Sequence, residues 1–155
     1  MYTDKLSSLN SVHQQNSSYL QLFEADLQGL APKTIKHHLQ NMDFFLNTYL
    51  LFDEAHPLSM QDGVNSIDDF IGYFLEEKTY FADSTKRSFV TSLRKFYKSM
   101  AAHGKITSEQ HEDVAESLRD SGTVRMSFRW WNHYRFCHLF CLQKALAYAK
   151  MKPHK

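Results

Sequence analysis

The chain is poor in the residues that break or staple a fold. Only three prolines and five glycines occur among 155 residues, which leaves long uninterrupted stretches for regular structure. With 14% aromatics, that composition excludes a largely disordered chain and predicts a well-filled core. Cys137 and Cys141 are the only cysteines, and the opening MYTDKLSSLNSVHQQNSS lacks the apolar stretch of a secretory signal. The two thiols are therefore expected to be reduced, in a cytoplasmic protein. No apolar run approaches a membrane span, and the charge-free stretch from Phe136 to Gln143 is far too short, so no membrane partner is expected. GxSxG, HExxH, the P-loop and GxGxxG are all missing, as are low-complexity blocks and internal repeats.

The most informative absence is local. Residues 121–155 contain seven Lys and Arg and no acid at all, a net +7. Residues 1–120 carry 11 Lys and Arg against 17 Asp and Glu, a net −6. The formal net charge of +1 is thus an average over two unlike parts, and Ser121-Gly122 marks the break. The length fits one domain with an appendage. Three regions follow: a flexible N-terminal segment over 1–15, a helical domain over 16–121, and a basic aromatic C-terminal helix or tail over 122–155.

What is present is helical periodicity. Ser18-Tyr19-Leu20-Gln21 has the spacing of a capping box, and Tyr19, Phe23, Leu27 and Leu30 follow at helical intervals up to a C-cap position at Gly29. A second helix is expected from Ala31-Pro32, with Ile35, Leu39, Met42, Leu46 and Tyr49 as its apolar stripe. Leu51–Asn65 reads as a loop, and Ser66 as the cap of a third helix carrying Ile67, Phe70, Ile71, Phe74 and Leu75. Asp83 or Ser84 should cap a fourth. At about 100° per residue, its Phe89, Leu93, Phe96 and Met100 fall on one side, with Arg87, Thr91, Arg94 and Lys98 opposite. Gly104 ends it, and Thr107-Ser108-Glu109-Gln110 opens a fifth with Val114 and Leu118 inward. The expected fold class is all-α, a compact bundle of four to five helices followed by a basic aromatic C-terminal helix.

In that last segment Trp130, Tyr134, Cys137, Cys141, Ala145 and Tyr148 share one helical face, and Arg125, Arg129 and Lys150 the other. So many aromatics should cover something: the bundle, a second copy or a partner. Phe128, Trp130 and Trp131 could instead stack on exposed bases. His133, Cys137 and Cys141 share a face, but one straight helix cannot surround a metal, so they read as packing residues and no metal or cofactor is expected.

Two blocks carry a resemblance to a known family. The run Tyr19-Leu20 through Phe23 to Gly29-Leu30-Ala31-Pro32-Lys33-Thr34-Ile35 is similar to the start of the N-terminal core-binding domain of tyrosine recombinases, the phage-integrase family. Asp83-Ser84-Thr85-Lys86-Arg87 through Leu93-Arg94-Lys95-Phe96-Tyr97-Lys98, then Gly104-Lys105-Ile106, resembles a later helix of that domain. Ala31 departs from the usual Ser cap. The resemblance covers about residues 17–118 and implies a SAM-like fold, with double-stranded DNA as partner in site-specific recombination or integration.

The matching DNA-binding positions are Lys33, Thr34, Lys36 and His37 on the second helix, and Ser84, Thr85, Lys86, Arg87, Arg94 and Lys98 on the fourth. Hydroxyls and free N–H groups at a helix start suit phosphate oxygens. The family's separate catalytic domain, with its Arg/His/Arg and Tyr constellation, is expected to be missing. The last 35 residues are too few to build a pocket around a phosphate. The expectation is therefore DNA binding without catalysis, as a truncated or split integrase or an accessory module. Its further partners would be a separate catalytic recombinase chain or a second copy through the C-terminal helix. The alternative is a helical protein–protein interaction or dimerisation module with no DNA role.

Overall fold

The computed structural model describes residues 2–53, 56–78 and 83–120, all within a compact unit that spans Met1–Thr123. The calls on the aromatic C-terminal segment, its metal-like His/Cys cluster and its role as a partner helix lie outside the described residues. The described structure is all-α and contains no strand. Its helices are α1 (Tyr2–Asp26), α2 (Pro32–Asp43), α3 (Ile67–Asp69), α4 (Asp83–Ala102) and α5 (Ser108–Asp120). Two of them continue as wider π-helical turns, α2 over Phe44–Tyr49 and α3 over Phe70–Lys78, and a 3₁₀ turn over Asp62–Ser66 leads into α3.

α1 corrects the sequence expectation at its start. The segment 1–15 is not an unpatterned loose end: the helix runs from Tyr2, and Ser18 lies in its interior rather than at a cap. The Ser18 hydroxyl donates back to the Gln15 carbonyl at 2.7 Å. Polar contacts hold this part of α1, which is why an apolar stripe did not reveal it. Asn16 is buried and donates to the Leu46 carbonyl at 3.2 Å and to Asn47 Oδ1 at 2.9 Å. His13, one turn earlier, meets the same Asn47 oxygen at 3.1 Å.

The other helix boundaries follow their local chemistry. Gly29 closes α1 at φ 100°, and Pro32 opens α2 where its missing N–H costs nothing. Thr107 and Gln110 cap α5 reciprocally, Thr107 N donating to Gln110 Oε1 at 3.0 Å and Gln110 N to Thr107 Oγ1 at 3.1 Å. Within the expected loop, Ser59 and Asp62 form a second such box ahead of the 3₁₀ turn.

The core gathers from every helix. Phe89, Leu93, Phe96 and Met100 of α4 are all buried, as the spacing predicts, and so are Ile67, Phe70, Ile71, Phe74 and Leu75 of the third helix. Phe23 of α1 meets Phe96 edge-on at 5.3 Å, and Phe70 meets Phe45 at 4.9 Å and Phe89 at 5.2 Å. The π-helical turn changes which residues point inward. Leu50 N donates to Phe45 O, a five-residue step at 3.0 Å, which adds about one residue per turn. Phe45 and Leu50 thereby join Met42 and Leu46 in the core, while Tyr49 is half-buried.

Candidate nucleic-acid interface

The longest basic stripe of the described residues lies on α4, and its neighbour across the bundle is α2. A polar seam sets how those two helices meet. Asn41 donates from Nδ2 to Ser88 Oγ at 3.0 Å and to Ser92 Oγ at 2.9 Å. The His38 ring meets Ser92 Oγ through Nδ1 at 2.7 Å, and the His37 ring meets Ser88 Oγ through Nε2 at 2.5 Å. His38, Asn41 and Ser92 are buried, whereas His37 is exposed at the rim. Burial first, then the charges of Lys95 and His37, push His38 below the ordinary histidine range. Asn41 brings an N–H to each hydroxyl oxygen, so the Ser92 hydroxyl proton remains for His38 Nδ1. The neutral ring completes the network.

The direction of the pair follows from α1. Phe23 meets Phe96 and Asp26 meets Ser99, so α1 runs parallel to α4, and α2 turns back along α1 with Asn47 beside His13 and Asn16, which makes α2 and α4 antiparallel. The first turn of α2, with Lys33 and Thr34, therefore lies beside the Lys95–Lys98 stretch of α4. The first turn of α4, with Ser84 and Thr85, lies at the far end of the seam. Eleven residues separate Ser84 from Lys95, about 16 Å along the axis. The two helix starts expected to hold phosphates make no direct contact among the described residues, although His37, one turn into α2, reaches Ser88, one turn into α4.

The ten expected contact residues divide accordingly. Lys33, Thr34, Lys36, His37, Ser84, Arg87 and Lys98 are exposed, and Thr85 is half-exposed. Lys86 is half-buried and already engaged. Arg94 turns the other way: its Nη2 donates to the Leu118 carbonyl at 3.3 Å, satisfying the last turn of α5. The reason is position along the helix, since Arg94 stands level with Leu118 in the last turn of α5, whereas Arg87, on nearly the same side of α4, lies two turns away. Lys95 takes its place on the face. It is exposed, close enough to bias His38, and makes no ion pair among the described residues. Lys95 lies outside the Arg87, Thr91, Arg94 and Lys98 stripe, and only the position of α2 brings it beside the seam.

A second polar cluster bounds the face. Ser99 Oγ donates to Asp26 Oδ2 at 2.5 Å, and His103 Nε2 meets the same oxygen at 3.0 Å. The Ser99 hydroxyl, more than the His103 ring, holds Asp26 below its ordinary carboxylate range. Serine, histidine and aspartate are all present here, but both partners bond the carboxylate and not each other, so no base activates the hydroxyl. Among the described residues no three His, Cys, Asp or Glu come together as metal ligands, and no helix is long and apolar enough to cross a membrane.

The class these features define is an all-α bundle in which an antiparallel helix pair meets at a histidine-lined seam and carries Lys33, Lys36, Arg87, Lys95 and Lys98 exposed. No protein-family model, no curated protein and no solved structure matches the chain.

Proposed function

We propose that this chain is a DNA-binding helical module, and that the α2–α4 face lies along the phosphate backbone of a duplex. The reading agrees with the resemblance to the core-binding domain of tyrosine recombinases, and with a role beside a separate catalytic recombinase chain in site-specific recombination or integration.

One observation carries it. Five exposed cations, Lys33 and Lys36 of α2 and Arg87, Lys95 and Lys98 of α4, stand on the two helices that meet at the seam, and among the described residues none is neutralised by an acid. Lys and Arg released from internal pairing are what displaces counterions from a polyanion. From Arg87 to Lys98 the ridge spans eleven residues, again about 16 Å, enough to follow several phosphates along one strand. The net charge of −6 on residues 1–120 opposes this attraction, so binding by the bundle is weak and strongly salt-dependent. The basic C-terminal segment supplies further charge.

Fluorescence anisotropy with a duplex of about 20–30 bp across a salt series tests the proposal. Binding that falls steeply as salt rises supports it. Binding that is absent at low salt overturns it and leaves the protein-interaction reading in its place.

A further inference from the structure

The seam and the basic face are not independent, because Lys95 belongs to both. We propose that binding of a polyanion by the α2–α4 face is coupled, through Lys95, to uptake of a proton by His38. The inference rests on the DNA-binding reading and adds a proton to it.

From α4, Ser92 Oγ meets His38 Nδ1 at 2.7 Å, and the exposed Lys95 stands one helical turn beyond Ser92 on that side of α4. From α2 itself, the His37 charge is felt at the ring. The acids of neighbouring elements are committed elsewhere. Asp43 accepts from Asn47 at 2.8 Å, and Asp26 holds Ser99 and His103. α1, also packed on α2, turns His13 to Asn47. His38 therefore sits buried beside Ser92 and Asn41, with Lys95 one turn from its partner Ser92 and with Asp43 and Asp26 engaged by Asn47, Ser99 and His103.

A phosphate seated against Lys95 changes that balance in one direction. It cancels the lysine field at the ring and adds a negative charge of its own, so the imidazolium becomes easier to form. Coupling is reciprocal: a protonated His38 must strengthen phosphate binding by the same factor. Proton uptake at Nδ1 makes the ring a donor to Ser92 Oγ, and the Ser92 hydroxyl proton then turns to another acceptor. The Asn41 bonds to Ser88 and Ser92 are retained, so the helix pair keeps its register while the charge state changes.

The test follows the His38 ring by NMR across a pH titration of the full chain, with and without a saturating duplex of about 20–30 bp, alongside anisotropy at each pH. Expected is an upward movement of the His38 midpoint by about 0.5–1 pH unit on binding. Wild type should gain about three- to tenfold in affinity between pH 7.5 and pH 5 beyond any gain shown by His38→Gln. Lys95→Met, an exposed change that leaves the fold intact, should abolish the movement. The NMR titration of wild type decides the matter even if His38→Gln fails to fold. A His38 midpoint that stays put while salt-sensitive binding persists at pH 7.5 overturns the coupling and spares the binding reading. An equal movement in Lys95→Met overturns the route through Lys95. Absence of duplex binding at every pH overturns both.

Discussion

His38 and Ser92 meet at 2.7 Å inside the packing between α2 and α4, a buried polar contact between two helices. Apolar stripes tell a helix which side to bury, but they tolerate sliding by a turn. A buried hydrogen bond does not, because a slip leaves both partners desolvated and unpaired. The contact therefore sets the register in which the cations of the two helices line up.

Asn41 is the donor on which that register depends. Asn41→Ala removes its bonds to Ser88 and Ser92 and should cost about 1–3 kcal/mol in urea unfolding. A double-mutant cycle with Ser92→Ala should return a coupling of about 0.5–1.5 kcal/mol. A coupling indistinguishable from zero would show that the seam is incidental to packing.

Stability should respond to pH in two separate steps on the acid side. The folded value of His38 lies below the ordinary histidine value of 6.5, so the unfolded chain binds the proton more tightly. Stability is whole above pH 6.5 and declines as pH falls through the lowered folded value. Asp26 is likewise lowered, from 3.8, by Ser99 and His103, and its contribution is lost only as pH falls below that range. Urea midpoints measured from pH 7.5 to 3 should show both losses. His38→Gln should flatten the upper one and Asp26→Asn the lower. A wild-type midpoint that holds steady between pH 6.5 and pH 5 would contradict the assignment.

Gly63 and Tyr97 form a close contact that should be visible in a mutant pair. A Cβ on Gly63 would lie 3.0 Å from Tyr97 Oη and 3.0 Å from Leu50 Cδ1. Tyr97 is fully buried, its hydroxyl donating to the Met60 carbonyl at 3.0 Å, and burial pushes its ionisation far above the ordinary phenol. Both neighbours are buried, so Gly63→Ala should destabilise by about 1–3 kcal/mol. In Tyr97→Phe the obstructing oxygen is gone, and adding Gly63→Ala to it should cost clearly less. Equal costs in both backgrounds would place the strain elsewhere.

The reciprocal cap at the start of α5 makes a simpler case. Thr107→Ala removes the acceptor for Gln110 N and should lower stability by about 1 kcal/mol by thermal unfolding. Thr107→Ser should retain it.

Much of this fold is legible along the chain because its signals are local. Thr107 and Gln110 announce a cap, Gly29 and Gly104 announce helix ends, and the Phe89-to-Met100 spacing announces a buried face. Ser59-Met60-Gln61-Asp62 carries the same kind of signal, but Pro57 and Asp62-Gly63 around it favour a loop. The helical start of α1 is hidden for a different reason. Its anchors, His13 and Asn16, find their partner Asn47 more than thirty residues away. The seam is hidden likewise: His38, Asn41, Ser88 and Ser92 are unremarkable polar residues until two helices are placed antiparallel. Charge spacing alone singles out Arg94 and leaves Lys95 out. The position of α5 claims the first, and the position of α2 promotes the second.

The central claim is that the α2–α4 face, and not the chain's basic charge in general, engages duplex DNA. The most direct test compares Arg87→Glu/Lys95→Glu with Lys105→Glu, an exposed lysine beyond the C-terminal end of α4, in full-length protein by anisotropy across a salt series. The double reversal should weaken binding at least about tenfold and reduce the salt dependence, while Lys105→Glu leaves both close to wild type. Equal losses in the two proteins, or no loss in either, would contradict the assignment of the face.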